Sequence, residues 1–270
     1  MRIIDVRNHK PERLTVMLYG PSRSGKTLTT ATFPRPLFLA DAMEGGWITL
    51  QTMDKSLWLE ADRPPEVRAI ERPVDMMTEI NNLEMRLKNK PGDIKTLVID
   101  SLTFYADMFF TVIEREASEN PTKSGKINKF DLYSKLNSHL RALMLKAHSI
   151  PGINVVWIAL EKEPANEGQD GGILLSGQQA SKSPAACALW LYQRAFSVGT
   201  EIKYEIRTKR FGVFPAGGRF GNILPDPIEP NYNALAKHIF KEEGRAVIVE
   251  QKRPVAPVPI RRAPVVPAKA

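Results

Sequence analysis

MLYGPSRSGKTLTT, from Met17 to Thr30, joins an apolar lead-in to a glycine-framed turn. Gly20, four residues, then Gly25, Lys26 and Thr27 fit the pattern G-x-x-x-x-G-K-[ST] without a mismatch. The two glycines permit backbone angles that bring several N–H groups onto one concave face, which suits a phosphate. Lys26 can set a positive charge against β- and γ-phosphates, and the Thr27 hydroxyl can ligate Mg²⁺. A helix starting there adds its N-terminal dipole. Gly20, Pro21, Ser22, Arg23, Ser24, Gly25, Lys26, Thr27 and Leu28 are therefore the candidate nucleotide cradle, with ATP and Mg²⁺ as its cofactors. The plainer reading is a Gly/Ser turn between a strand and a helix. The flanks favour the cradle: Leu14 to Tyr19 is β-rich, and Leu28 to Phe33 can be helical until Pro34 stops it.

Downstream, Leu37 to Asp41 (LFLAD) and Thr96 to Asp100 (TLVID) read as buried strands that end in a carboxylate. Asp100 fits the second metal-site acid, holding Mg²⁺ through water or through Thr27; taken alone it reads first as a strand-end or helix-capping acid, and the loop upstream turns the reading to the metal. The residue after it is Ser101, so an acid that activates water has to come from elsewhere. Asp41 and Glu44, in LADAMEGGW, lie just past a strand end that can face the γ-phosphate. Lys26, Asp41, Glu44 and Asp100 are the candidate catalytic residues, with an acidic loop in water as the alternative for Asp41 and Glu44.

Helical spacing covers Met76 to Lys88, the residues after Ser101 to about Ala117, and Phe130 to Ala147; Ile153 to Ala159 is a further core strand. Residues 161–184 hold four glycines and little periodicity, and are expected to be a long mobile loop. Strands at Ala188 to Ser197 and Ile202 to Thr208, a Gly-rich hairpin at Phe211 to Phe220 and a helix at Asn231 to Lys241 follow. The alternation of strands and helices over the first 160 residues implies an α/β fold. It predicts a mainly parallel sheet sandwiched by helices, with β-hairpins in the C-terminal third and the nucleotide at the carboxyl ends of the strands.

The chain has 270 residues and a net charge of +8, but residues 251–270 carry five basic residues, five prolines and no acid, leaving only +3 for the first 250. A basic body is thus not implied by the total. The proline-spaced tail is expected to be disordered, and to lie along phosphates or to dock another protein. One cysteine excludes an internal disulfide and points to a reducing, cytoplasmic setting. No stretch approaches a membrane span, and the N-terminal MRIIDVRNHKPERL is too charged for a signal peptide.

The order GPSRSGKT, LFLADAMEGG, TLVIDS, NVVWIALEKE and then a Gly-rich loop resembles the RecA-type P-loop NTPase core. More narrowly, it is similar to the small phage RecA-like proteins that act in ATP-dependent single-strand annealing and recombination. The resemblance runs from residue 12 to about 228 and implies a RecA-like ATPase core at 1–228. A C-terminal helix and strand at 229–250 and the tail at 251–270 would complete the chain. Asp41 to Gly45 is one residue longer than the D-x-E-G the family places there, and Glu161 and Lys162 stand where it often carries Gln.

The resemblance further implies a DNA-dependent ATPase that binds single-stranded DNA, and a homo-oligomeric ring or filament. It also implies residence in the host cytoplasm if the chain is phage-encoded, and contact with a single-strand-binding or replication protein. The loop at 161–184, with Lys162 and Lys182, would correspond to a DNA-contacting loop. Lys123, Lys126 and Lys129 form a more plainly basic turn, which is also what an ordinary solvated loop looks like. Arg207, Lys209 and Arg210, with Arg219 as a further candidate, could reach the γ-phosphate of a neighbouring subunit, or simply guard an edge strand. Two other functions stay open: a nucleotide-dependent switch or assembly factor with little turnover, and a nucleotide kinase. The single cysteine argues against the thymidine kinases built on this core, which usually carry a four-cysteine zinc ribbon.

Overall fold

Six strands run parallel in one sheet. They are β1 (Thr15–Gly20), β2 (Pro36–Asp41), β3 (Glu66–Ile70), β4 (Thr96–Asp100), β5 (Asn154–Lys162) and, after a two-residue β6 (Gly172–Ile173), β7 (Leu189–Val198). Then come β8 (Glu201–Arg207) and the two-residue β9 (Gly217–Gly218). The computed structural model describes residues 11–60, 63–119, 127–176, 178–220 and 223–240. Within these the strand order is β3-β2-β4-β5-β1-β7-β8. β8 runs antiparallel to β7, while β6 and β9 pair antiparallel with β5 and β7.

The helices are α1 (Lys26–Ala31), α2 (Thr49–Thr52), α3 (Pro73–Asn89), α4 (Leu102–Glu119), α5 (Lys129–Ser149), α6 (Gln179–Ala185) and α7 (Tyr232–Ile239). Side chains alternate across a strand, so one sheet face and its helices form one core. Tyr19, Leu39, Ile99 and Trp157 pack with residues of α3, α4 and α5. Val16, Leu18, Phe38, Val98 and Ile158 pack on the other face with residues of α1, α2 and α7. Every residue of β2 and β4 is buried, as expected of parallel strands covered on both faces. Each such apolar side chain contributes about 1.5–3 kcal/mol on leaving water. This is the RecA-like P-loop fold that the motif order implies.

Parallel pairing has a direct consequence for function. The carboxyl ends of β1, β2, β4 and β5 fall on one edge of the sheet, with Gly20 beside Leu160 and Asp100 beside Ala40. Residues 73 positions apart along the chain, Thr27 and Asp100, therefore come together there.

Two expectations are corrected. Residues 161–184 are not loop throughout: β5 runs on to Lys162, β6 falls inside the span and α6 begins inside it and ends at Ala185. α6 escapes periodicity because two of its buried positions, Gln179 and Ser183, are polar and bonded to each other at 3.1 Å. The expected hairpin at Phe211 to Phe220 is a close Phe211–Phe214 bridge followed by β9, which pairs with β7 instead of with its own upstream half. α7 packs on the core through Leu235 and Ile239, and Tyr232 N donates to Thr32 Oγ1 at 2.8 Å. The expected strand before residue 250, the tail, Lys123 and Lys126 lie outside the described residues. No described helix is long and apolar enough to cross a membrane.

Candidate nucleotide-binding site

The segment from Gly20 to Thr27 turns between β1 and α1. Gly25 caps α1 at φ 84°, a left-handed conformation that a side chain resists. Gly20 is needed for a different reason: a Cβ there would sit 1.9 Å from the carbonyl oxygen of Gln193 on neighbouring β7. Pro21 is half-buried, Ser22 and Arg23 are exposed, and Ser24 is buried. Lys26 Nζ donates to the carbonyls of Gly20 at 3.0 Å and Pro21 at 2.6 Å, and lies 3.4 Å from Ser24 Oγ. Burial lowers the Lys26 pKa to about 8, with Asp100, Glu161 and Glu44 opposing the shift, so the ammonium keeps its charge at neutral pH. Leu28 packs against the core on the α1 side.

Below the loop, Thr27 Oγ1 donates to Asp100 Oδ2 at 2.7 Å. Asp100 is buried, and burial raises its pKa while the Thr27 hydroxyl and the Lys26 charge lower it. A hydroxyl and a buried carboxylate in contact form an all-oxygen pair suited to Mg²⁺, which is typically held by one or two protein oxygens plus substrate phosphates. The residues thus fit the ion. Among the described residues no cluster of three or more His, Cys, Asp or Glu offers a competing metal site.

The two candidate bases take different positions. Asp41 is buried, and its Oδ1 accepts from the backbone N–H of Met43 at 2.7 Å and of Glu44 at 2.9 Å. It shapes the turn that delivers Glu44. Glu44 is exposed as a residue, yet its carboxylate turns in toward Asp100: Glu44 Oε1 and Asp100 Oδ2 each lie 3.9 Å from the point a Gly46 Cβ would occupy. Partial burial of that carboxylate, then repulsion from Asp100 and Asp41, pushes its pKa up to about 7. A carboxylate tuned near neutrality suits proton abstraction from water.

The remaining candidates are scattered. Arg207 is held by Asp226 at 2.9 Å and lies near Glu205, with its guanidinium over the Phe211 ring. Arg210 pairs with Asp170. Lys209 and Arg219 are exposed, and Arg219 reaches the carbonyl of Ala185 at 3.4 Å. Lys162 is exposed at the end of β5, and Lys182 on α6 bonds Gln178. α4 and α5 are antiparallel, with Phe110 on Tyr133 and Tyr105 against His139. The 18 residues of α4 carry the chain about 26 Å from Asp100 at ~1.5 Å per residue, so Lys129, opening α5, lies at the far end of this pair.

One residue of the site escaped the sequence reading, and a second was marked there by position without its contacts. Gln193 is fully buried in β7 and its Nε2 donates to the Ser24 carbonyl at 2.8 Å, bracing the loop from the next strand. A lone amide inside LWLYQRAFSV was the available signal. Glu161 is hydrogen-bonded to Tyr192 and burial raises its pKa, while the Lys26 charge acts against that rise; its chain position next to Lys162 did not reveal this.

A family model described as an AAA domain matches residues 12–187, more than half of the chain. Among solved structures, a KaiC-like protein from the hyperthermophilic archaeon Pyrococcus horikoshii OT3 is similar at 15% identity, with a TM-score of 0.44. The match covers 83% of this chain and 90% of that one. No curated protein matches the chain.

Proposed function

The chain belongs to the AAA domain family and is a P-loop ATPase, and on that premise we propose that it spends ATP on DNA recombination, binding single-stranded DNA and promoting its annealing or pairing. The observation that carries the ATP half is the Thr27–Asp100 contact at 2.7 Å beneath Lys26, with the Glu44 carboxylate turned toward it. Lys26 would exchange its bonds to the Gly20 and Pro21 carbonyls for phosphate oxygens. Thr27 and Asp100 would hold Mg²⁺, which when bound would draw charge from the β- and γ-phosphates. Glu44 would orient the attacking water and take its proton, while Asp41 keeps the turn in place.

The DNA half is supported by the motif order and by the five basic residues among 251–270, which can neutralise phosphates and release counterions. Exposed Lys162, Lys182 and Lys129 would add contacts, and self-assembly into a ring or filament would let Lys209 or Arg219 act on a neighbour's nucleotide. A second reading, a nucleotide switch with little turnover, draws on Glu161, an acid near Lys26 that is disfavoured as an anion.

One experiment separates them: the ATPase rate with and without single-stranded DNA, run beside annealing of two labelled complementary strands. Stimulation of turnover and ATP-dependent annealing are expected. Tight ATP binding with neither effect would replace the recombination reading with the switch.

A further inference from the structure

Five of the six tyrosines have polar or ring partners. Tyr19 donates to the Pro215 carbonyl, Tyr105 bonds His139, Tyr133 stacks on Phe110, Tyr192 on Phe214, and Tyr232 packs against Phe33. Tyr204 differs. It is 39% exposed, and among the described residues no hydrogen bond or aromatic ring engages its side chain. What its ring does touch is the phosphate loop: Cδ1 and Cε1 come 3.0 and 3.3 Å from the point a Gly25 Cβ would occupy.

The strand geometry explains why the rest of the ring is open. Tyr204 on β8 stands opposite Ala195 on β7, and Ile202 opposite Ser197. Positions two apart share a sheet face, so Tyr204 and Ile202 line one strip, directly opposite the small side chains of Ala195 and Ser197, with Gln193 on the loop side of that strip. Ile202 is 63% exposed. The strip begins against the loop that would hold the phosphates and leads away from it. A partly exposed aromatic ring beside the proposed phosphate cradle has the chemistry to receive a flat heteroaromatic ring, which every nucleobase presents.

We propose that Tyr204 is the nucleobase shelf of this site, stacking on the base of the nucleoside triphosphate whose phosphates residues 20–27 hold. The proposal rests on reading those residues as the phosphate cradle. Stacking favours any base with a broad π-face, so the shelf adds affinity with modest selectivity among bases. Nothing in tripolyphosphate can use it. The phenolic hydroxyl has no role in the stack.

Calorimetric titration of the full chain with Mg²⁺ plus ATP, and with Mg²⁺ plus tripolyphosphate, tests this in the wild type, Tyr204→Ala, Tyr204→Phe and Lys26→Ala. Tyr204→Ala is expected to weaken ATP by about five- to a hundredfold, the range that base–aromatic stacking supports, and to leave tripolyphosphate unchanged. Tyr204→Phe should retain both. ATP affinity kept by Tyr204→Ala would overturn the shelf, and so would parallel losses of ATP and tripolyphosphate, which would mean the ring merely supports the loop. Tripolyphosphate binding that survives Lys26→Ala would instead sink the cradle itself, and the shelf with it.

Discussion

At Asp100 a single charge separates two tasks. An amide in its place can still accept the 2.7 Å bond from Thr27 but no longer attracts a cation. Asp100→Asn is therefore expected to raise the Mg²⁺ concentration needed for half-maximal turnover by about tenfold, one charge-assisted contact of ~1.4 kcal/mol. ATP binding should fall by less. Hydrolysis titrated with Mg²⁺ checks this, and wild-type behaviour at limiting Mg²⁺ would remove Asp100 from the metal site. The neighbouring acids divide in the same way. Glu44→Gln should slow hydrolysis while ATP stays bound, because a base acts only in the chemical step. Asp41→Ala should instead cost about 1–3 kcal/mol of stability, since the Met43 and Glu44 N–H groups lose their acceptor. Asp41→Asn keeps that oxygen and is the discriminating variant. If it, and not Glu44→Gln, gives slow turnover on a stable fold, Asp41 is the base.

Between elements, β7 determines the shape of the loop after β1. Its Gln193 carbonyl closes the space above Gly20, and its side chain holds the Ser24 carbonyl. Gly20→Ala would drive a methyl into backbone that is itself held by the parallel β1–β7 pairing, so nothing soft can give way. A loss of stability of about 3 kcal/mol or more is expected, at or beyond the upper end of ordinary overpacking, visible as a lowered thermal midpoint. Gln193→Leu should leave the sheet intact but the Ser24 carbonyl unpaired. ATP affinity measured by calorimetry is expected to fall by about tenfold, with the melting midpoint moved far less than in Gly20→Ala. Equal affinity in Gln193→Leu and the wild type would show that β1 and α1 shape the loop unaided.

The whole molecule carries a pH dependence far from the site. His148, at the end of α5, accepts from Trp157 Nε1 at 3.0 Å, and Arg13 donates to the His148 and Ile150 carbonyls. Burial first, then the Arg13 and Arg219 charges, lowers the His148 pKa to about 4. The unfolded chain therefore binds this proton near pH 6.5 while the folded one resists it down to about 4, and stability falls as pH drops through that window. Urea midpoints at pH 7 and pH 5 should differ more for the wild type than for His148→Gln, which accepts the Trp157 N–H without titrating. An identical pH dependence in the two proteins would assign the acid lability to carboxylates.

What sequence by itself determined was everything local. The proposed cradle is contiguous, so two glycines, Lys26 and Thr27 mark it without reference to the rest of the chain. The strands that matter are buried on both faces, so they read as unbroken apolar runs, and Asp41 and Asp100 stand where those runs stop. Tertiary structure decided whatever depends on which strand lies beside which. Only the β1–β7 neighbourhood makes Gln193 a brace and Gly20 obligatory, and only the β7–β8 hairpin lays Tyr204 on Gly25. The choice between Asp41 as a turn-former and Glu44 as the acid facing Asp100 hangs on side-chain directions that spacing does not encode. α6 stayed hidden for a kindred reason: Gln179 reaches the carbonyl of Asn137, 42 residues away, and a helix held by buried polar contacts leaves no apolar period to read.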